Sequence, residues 1–377
     1  MARLRLARSS NVGPRTYAHL MRRFASARRA LEALPSLAAT GGRAGYTACP
    51  EAEAQAELAA GAAAGARLAI LGEPDYPPLL AEIDQPPPVL WLIGDAGVFR
   101  RPAIAIVGAR NASALGLRAA RNLARGLGAA GHVVVSGLAR GIDAAAHEAA
   151  LASGTVAVLA GGIDRVYPPE NAGLAARIAA AGALVSECPM GTEPTARHFP
   201  RRNRLVSGLA RGVLVIEAAV RSGSLITARC ALEQGREAMA CPGGPEDPRA
   251  GGANQLIREG AALIRSVDDV LEALAAPRTL ALAEPGGTFL FDEDFFDAEI
   301  DEPDPDDLED LEAGSAREAA LTGQIMRLIG THPVELDELA RLCGAAPAEI
   351  SLAVLELDLA GRVELLPGGT IARSTLD

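Results

Sequence analysis

The amino-acid sequence predicts an α/β protein with a doubly wound parallel sheet, a small helical domain before the sheet and a winged-helix domain after it. Three observations support this fold class. Short apolar runs alternate with helical stretches in the middle of the chain, amphipathic helical patterns precede them, and three helical patterns with a strand pair follow. The 377 residues are 49% hydrophobic, which is enough apolar material for more than one core.

The helical domain is expected to span residues 1–66. Asn-Val-Gly-Pro at 11–14 separates two short amphipathic patterns, Ser26 suits the N-cap of a third, and an alanine-rich helix follows at about 51–64. Eight arginines precede the first acidic residue, Glu32, as they would in a transit peptide. The stretch has no apolar h-region and its helical periodicity continues, so we interpret it as a folded domain.

The central domain, residues 67–275, contains five apolar runs that predict strands. Runs this continuous are typical of parallel strands that are covered on both faces. The five runs lie at 104–107, 133–135, 156–159, 183–185 and 213–216. Because helical stretches separate them, they predict an open, doubly wound sheet whose ligands bind outside the carboxyl ends of the strands.

Beyond residue 275 the composition changes twice. Residues 276–316 are rich in Pro, Asp and Glu and are predicted to form a disordered acidic linker, because so polar a segment cannot pack. Residues 317–377 show three helical patterns and a strand pair around Pro-Gly-Gly at 367–369, which is the arrangement of a winged helix.

Composition removes several classes of function. The net charge is −11, but 13 acidic residues lie between 292 and 312. The rest of the chain has 34 acidic against 36 basic residues and is therefore nearly neutral. All basic residues are arginine, which excludes a Walker lysine, a Schiff-base lysine and a lysine nucleophile. The five cysteines form no Cys-x-x-Cys pair, so neither a zinc site nor a disulfide framework is expected. No apolar stretch approaches the roughly 18 residues of a membrane span, and a reducing cytoplasm is the expected compartment.

A glycine motif of the dinucleotide type occurs in an unsuitable context. Gly-x-Gly-x-x-Gly at 126–131 closes a helix and precedes a strand, whereas the fingerprint must follow a strand and open a helix. We interpret it as a helix C-terminal glycine turn. Ser136 ends the second strand where a dinucleotide enzyme carries the acidic residue that binds the ribose, so no NAD or other cofactor is expected.

The loop after the first strand, at 108–116, has the appropriate position for an anion site. Gly108, Arg110, Ser113 and the backbone amides at the start of the next helix are predicted to hold one phosphate. The alternative is a tight strand-to-helix turn with a surface arginine.

Further small residues, hydroxyls, amides and arginines are expected at the same edge of the sheet. Such a set suits a phosphate backbone, because amides and hydroxyls permit close approach and arginines supply charge. Asp143 and His147 could form a metal pair, but a third ligand is not evident, so we prefer a helix-capping Asp with a partly buried His and expect no metal. The remaining predicted binding residues are Ser136, Gly137, Arg140, Gly141, Arg202, Asn203, Arg204, Ser222, Gly223, Ser224, Thr227 and Asn254.

Several motifs occur in an order that identifies a family. They include Ile-Val-Gly-Ala-Arg at 106–110, Ser-Gly-Leu-Ala-Arg-Gly-Ile-Asp at 136–143, Phe-Pro-Arg-Arg-Asn-Arg at 199–204, Ser-Gly-Ser-Leu at 222–225 and Asn-Gln-Leu-Ile at 254–257. Over nearly its whole length the chain resembles the DprA/Smf family, the DNA-processing protein A of bacterial transformation.

The resemblance implies an extended Rossmann domain, an N-terminal SAM-like domain and a C-terminal winged helix. It also implies binding of single-stranded DNA, a homodimer formed through the Rossmann domain and loading of the recombinase RecA, with no established catalysis. Family members commonly use a lysine in the DNA groove, and this chain has none. Arg165 or Arg177 could take its place, with a planar head that also stacks.

Two other functions are compatible with parts of the sequence. Rossmann-like nucleotide hydrolases also use glycine loops, and Pro-Gly-Gly at 242–244 resembles one, but no Gly-Thr-x-x-Glu follows to position a catalytic acid. A transcription regulator would bind duplex DNA through the winged helix. The recognition helix expected at about 347–359 opposes this, because it carries Glu349, Glu356 and Asp358 and no arginine.

Phenylalanine is concentrated beside the acidic segment. Phe289, Phe291, Phe295 and Phe296 are four of the seven in the chain. Alternating carboxylates and phenyl rings could imitate phosphate and base, so the segment could dock in the arginine-lined groove or mark a partner's site. The alternative, which we prefer, is a disordered solubilising linker.

Overall fold

A computed structural model describes residues 1–40, 46–275 and part of 321–373. Within the last stretch the described residues are 321, 323–329, 334–345, 350, 353–354, 357, 363–366 and 370–373. They form two compact units, one with 1–33 and 47–275, the other with 34–40, 46 and the described C-terminal residues. The acidic, phenylalanine-rich segment lies outside the described residues.

Twelve α-helices are described between residues 1 and 275, and residues 34–40 of the third belong to the second unit. The N-terminal ones are α1 (Ala2–Arg8), α2 (Pro14–Phe24), α3 (Ala27–Thr40) and α4 (Glu51–Ala63). The central ones are α5 (Pro78–Ala81), α6 (Ala114–Ala129), α7 (Ile142–Ala150), α8 (Ala172–Ala181), α9 (His198–Gly208), α10 (Gly223–Glu233), α11 (Gly251–Arg258) and α12 (Val267–Ala275). Ser26 caps α3 as predicted, since its Oγ accepts a hydrogen bond from the Arg29 amide at 3.3 Å. Among the described residues, no helix has the length and apolar character that a bilayer crossing requires.

The strands include the five that the apolar runs predict and four others. They are β1 (Arg67–Ile70), β2 (Val89–Gly94), β3 (Ala103–Gly108), β4 (Val133–Ser136), β5 (Thr155–Val158), β6 (Ala183–Ser186), β7 (Gly212–Ile216), β8 (Glu237–Ala240) and β9 (Ala262–Leu263). The bounds of β3 to β7 agree with the prediction to within one residue. β8 was missed because Glu-Ala-Met-Ala contains no β-branched residue, and β9 because it has two residues.

The strands form one sheet in the order β1-β2-β6-β5-β4-β3-β7-β8-β9. β3 to β9 pair in parallel, and β2 joins β6 antiparallel at one side. The chain continues from β3 to β4 on one side, whereas β7 lies on the other, with Gly108 opposite Ile216. The predicted doubly wound sheet is confirmed, and its topological switch point lies between β3 and β7.

Helices cover both faces of the sheet, which explains the continuous apolar runs. α6, α7 and α12 pack on one face, against Ile104, Ile106 and Val134. α9, α10 and α11 pack on the opposite face, against Val107 and Val135. The motif at 126–131 closes α6, where the Ala130 amide donates to Gly126 O at 2.9 Å and Gly131 has a φ of 88°, so the predicted helix C-terminal turn is confirmed.

The N-terminal helices α1 and α4 pack on the antiparallel strands β1 and β2. The Glu57 carboxylate on α4 accepts from the Arg8 guanidinium at 2.8 and 3.0 Å and from the Trp91 indole nitrogen at 2.8 Å. Arg8 also donates to Glu187 O, just after β6, at 3.1 Å. These partly buried, charge-assisted bonds fix the helical domain to the sheet.

The second unit has the winged-helix arrangement that the sequence predicts. Its elements are β10 (Val334–Glu335), α13 (Leu336–Cys343), β11 (Val363–Leu366) and β12 (Thr370–Arg373), with the strands in the order β10-β12-β11. Ile325, Leu339, Val354 and Ile371 belong to its buried core. The acidic positions predicted on its recognition helix, Glu349, Glu356 and Asp358, lie outside the described residues.

Candidate nucleic-acid interface

A cleft lies at the switch point, between the carboxyl ends of β3 and β4 and the first turns of α9 and α10. Its volume is about 70 Å³, well below the roughly 300–1,000 Å³ of pockets that enclose drug-sized ligands. It therefore suits a phosphate group or the edge of a base rather than an enclosed dinucleotide. Its lining includes Gly108, Arg110, Gly137, Asp143, Phe199, Arg202, Asn203, Ser222, Gly223, Ser224 and Thr227.

Arg110 and Phe199 line the cleft side by side, and both are half-buried. The Arg110 guanidinium carbon lies 5.5 Å from the centroid of the Phe199 ring, which is a cation–π distance. The ring also meets Tyr167 edge to face, with 5.8 Å between the centroids. A planar cation beside an aromatic face can hold a phosphate and a stacked base at neighbouring points.

Ser113 has a different environment from the one predicted. It is the N-cap of α6, and its hydroxyl accepts from the Gly116 amide at 3.0 Å. Its own amide donates to a carboxylate oxygen of Glu217 at 2.8 Å, and its hydroxyl donates to the other oxygen. The predicted phosphate site at the start of α6 therefore already holds a carboxylate of the protein.

Arg202 is buried rather than presented to solvent, with 7% of its surface exposed. Its guanidinium donates to the carbonyl oxygens of Gly137 and Val158, and it joins the ends of β4 and β5 to α9. Burial lowers the pKa of Arg202 to about 10, and the nearby Asp143 carboxylate opposes this shift. A Cβ at Gly137 would lie 2.4 Å from the Arg202 guanidinium, so any side chain there would displace that group.

Asp143 and His147 are both buried, and their environments differ from the expected ones in two details. The N-cap of α7 is Gly141 and no side chain caps this helix, so Asp143 is not a helix cap, and His147 is fully rather than partly buried. The buried Asp143 carboxylate accepts from the amides of Gly137 and Ala139 at 3.0 and 3.3 Å. Burial raises its pKa and Arg202 opposes the shift. His147 is fully buried, contacts Thr155 Oγ1 through Nδ1 at 2.8 Å and has a pKa lowered by burial to about 3. Within the part of the chain that is described, His, Cys, Asp and Glu side chains form no cluster that could hold a metal.

The other predicted residues of the loop after β4 differ in exposure. Ser136 is fully buried and its hydroxyl donates to Ile106 O at 2.6 Å, so its role is to tie two strands together. Arg140 is exposed and paired with Glu170. Gly141 precedes α7 with a φ of 72°.

The predicted residues of α9 and α10 lie close together. Asn203 Nδ2 donates to Gly223 O at 3.2 Å, which links the two helices. Ser222 is the N-cap of α10, and its Oγ lies 2.8 Å from Ser224 Oγ. Thr227 is buried one turn later, against the cleft.

Arg204 and Asn254 are occupied elsewhere. Arg204 pairs with Glu187 and donates to Gln85 O at 2.7 Å, so it connects α9 to the chain at these two residues. Asn254 exchanges two hydrogen bonds with the backbone of Gly243, at 3.0 and 3.1 Å. Neither residue is among those that line the cleft.

Two residues with contacts at this edge were not in the predicted set: Phe199, which meets Arg110, and Glu217, which binds Ser113. Arg201 is exposed, and it precedes the buried Arg202 on α9. The spacing of the apolar residues Leu205 and Val206 after Arg202 places position 202 on the inward face of a helix, and this signal was present in the sequence. The residues next to Glu217 in the sequence contain no pattern that predicts its contact with Ser113.

The two arginines suggested as substitutes for a groove lysine are both exposed. Arg165 pairs with Glu193 at 3.1 Å and lies 3.5 Å from Asp164. Arg177 is on α8. Neither lines the cleft, where the cationic side chains are Arg110 and Arg202.

Comparison with known proteins agrees with this architecture. A family model described as DNA recombination-mediator protein A matches residues 67–275. Models of a DprA-like N-terminal HHH domain and of a DprA winged helix domain match 1–60 and 303–369.

Two relatives and two solved structures show the extent of the similarity. The chain is 38% identical over 299 residues to Protein Smf of Escherichia coli K12, covering 78% of this chain and 74% of that protein. It is 44% identical over 213 residues to the DNA processing protein DprA of Bacillus subtilis, covering 56% and 71%. The DprA structure from Streptococcus pneumoniae matches with a TM-score of 0.55 and 39% identity, covering 59% of this chain and 77% of that one. A Helicobacter pylori DprA structure, described by its single-stranded DNA binding mode, matches with a TM-score of 0.51 and 30% identity over 55% and 95%. Because the recombination-mediator model covers more than half of the chain and the Escherichia coli relative is similar across most of both proteins, the chain belongs to the DprA/Smf family.

Proposed function

We propose that this protein binds single-stranded DNA through the cleft at the β3/β7 switch point and acts in DNA processing during transformation and recombination. The pairing of Arg110 with Phe199 inside that cleft is the observation that carries the proposal. Single strands expose both phosphates and unstacked bases, and a cation beside an aromatic ring can bind both. The Helicobacter pylori relative, whose structure concerns single-stranded DNA binding, supports the same ligand.

The carboxylates near the cleft favour binding over hydrolysis of a nucleotide. A hydrolase of this fold needs a carboxylate that faces its substrate. Asp143, which lines the cleft, accepts two backbone amides beside the Arg202 guanidinium. Glu217 is bound to Ser113 at the start of α6.

Loading of RecA and formation of a homodimer through the Rossmann domain are further parts of the proposal, for a protein acting in the cytoplasm. The family description as a recombination mediator supports the transfer of bound DNA to a recombinase. The homodimer is supported by the membership of the chain in the DprA/Smf family.

Single-stranded DNA should bind at least about tenfold more tightly than duplex DNA of equal length at low salt, because a duplex hides its bases from the cleft. Fluorescence anisotropy with labelled strands across a salt series measures both affinities and their salt dependence. Equal affinity for the two forms would contradict the proposal. Release of free base from nucleoside monophosphates would instead indicate a hydrolase.

Removal of residues 317–377 should leave the affinity for single-stranded DNA within a few fold, because the expected recognition helix carries Glu349, Glu356 and Asp358 and no arginine. The measurement is the same anisotropy titration, with circular dichroism to show that the shortened chain is folded. Loss of most binding would transfer the main site to the winged helix.

A further inference from the structure

The start of α6 occupies the position at which doubly wound sheets bind phosphate. It follows β3, the strand at the switch point, and α6 has 16 residues. In doubly wound sheets the pyrophosphate of a dinucleotide is held here, by backbone amides and the positive end of the helix dipole.

Glu217, directly after the neighbouring strand β7, places its carboxylate at this position. Its two carboxylate oxygens accept from the amide and from the hydroxyl of Ser113, the N-cap. Space for the side chain comes from Gly116, where a Cβ would lie 2.4 Å from the carboxylate. The backbone is fixed as well, because the Ala109 amide donates to Glu217 O at 2.7 Å.

The backbone of Glu217 is in a conformation that L residues rarely adopt. Its φ is 49°, in the left-handed region that favours glycine. Such a residue persists only where its surroundings determine it, and it directs attention to what its side chain does. Here a glutamate with a positive φ lies where its carboxylate reaches the start of α6.

We propose that Glu217 is an internal substitute for phosphate, which closes the nucleotide subsite of α6 and makes this cleft selective for a DNA strand over free mononucleotides or dinucleotides. A phosphate at α6 would meet both the bulk of the carboxylate and its negative charge. The same contacts hold the 109–113 loop, and Arg110 of this loop lines the cleft beside Phe199. The selectivity for DNA rests on the proposed function, whereas the closure of the subsite does not.

The test uses inorganic phosphate without DNA, so failure of the proposed function would not affect it. The full-length variant Glu217→Gly removes the carboxylate and suits the positive φ, so it is expected to fold. Glu217→Gln keeps the shape and removes the charge. Glu148→Ala, at an exposed position on α7, makes the same change in net charge away from the site.

Phosphate is titrated at constant ionic strength, with chloride replacing it. The readouts are the thermal midpoint and the amide NMR shifts of residues 113–116. Glu217→Gly should bind phosphate about tenfold more tightly than the native chain, with a midpoint that rises with phosphate and shifts confined to 113–116. Glu217→Gln should gain less, because its amide fills the space without repelling the anion. If Glu217 had only a structural role, its replacement would lower stability and produce no gain of phosphate binding.

Two results would overturn the proposal. One is a phosphate response of Glu217→Gly equal to that of the native chain and of Glu148→Ala. The other is a response located at Arg110 or Arg140 instead of 113–116. If Glu217→Gly does not fold, Glu217→Gln decides, and the absence of any gain in that variant rejects the role.

Discussion

Arg110→Ala should lower the affinity for single-stranded DNA by roughly ten- to a hundredfold at low salt without unfolding the protein. Arg110 is half-buried beside Phe199, and it lines the cleft without belonging to the buried core. Loss of one phosphate contact should also reduce the slope of log affinity against log salt by about 0.7. Anisotropy titrations across salt concentrations measure both quantities.

Arg125→Ala is the matched control for this variant. Arg125 is exposed near the end of α6, which runs from the carboxyl edge of the sheet back toward the opposite edge, so the same charge is lost far from the cleft. Phe199→Ala should also weaken binding, and the double variant should lose less than the sum of the single losses, because the two side chains contact each other. An unchanged affinity of folded Arg110→Ala at low salt would refute the role of this loop.

Arg202→Met should destabilise the protein by about 3–5 kcal/mol, because it leaves Asp143 buried without its compensating charge. It also leaves the carbonyls of Gly137 and Val158 without their donors. Urea unfolding at pH 7 measures the loss. Arg201→Met is the control, since Arg201 is the exposed neighbour on the same helix and should change stability by less than about 0.5 kcal/mol.

The loss of unfolding free energy in Arg202→Met should become smaller as the pH falls. Burial raises the pKa of Asp143 above its ordinary value of 3.8, and removal of Arg202 raises it further, because Arg202 opposes the shift. An acid whose pKa is raised on folding favours the folded state at low pH and loses that contribution as pH rises through its folded pKa. The deficit of Arg202→Met should therefore shrink as pH falls from about 8 to about 5.

The double variant Arg202→Met with Asp143→Asn tests whether the Asp143 charge causes this loss of stability. Asparagine keeps an oxygen that can accept from the Gly137 amide but carries no charge, so the double variant should be more stable than Arg202→Met alone at neutral pH. A deficit that is the same at pH 5 and pH 8, with no recovery in the double variant, would show that Asp143 is not the uncompensated group.

The elements of the fold were largely predictable because their signals are local. β3 to β7 are continuous apolar runs, and a run of that kind indicates a strand covered on both faces wherever it occurs. β8 and β9 have no such signal, since their strand conformation comes from pairing with β7 and with each other. Pairing partners far along the chain are not visible in a local pattern.

Sequence by itself determined the family, the doubly wound sheet and the edge at which polar side chains collect, because motif order and apolar periodicity are properties of the chain. Only the tertiary structure decided which of those side chains can meet a ligand. Arg201 and Arg202 are neighbours of the same type, yet packing of α9 buries one and exposes the other. Ser113 and Glu217 are 104 positions apart and meet only because β3 and β7 are adjacent in the sheet. Burial and long-range pairing depend on the assembled core, and for this reason the candidate phosphate loop proved to hold a carboxylate of the protein itself.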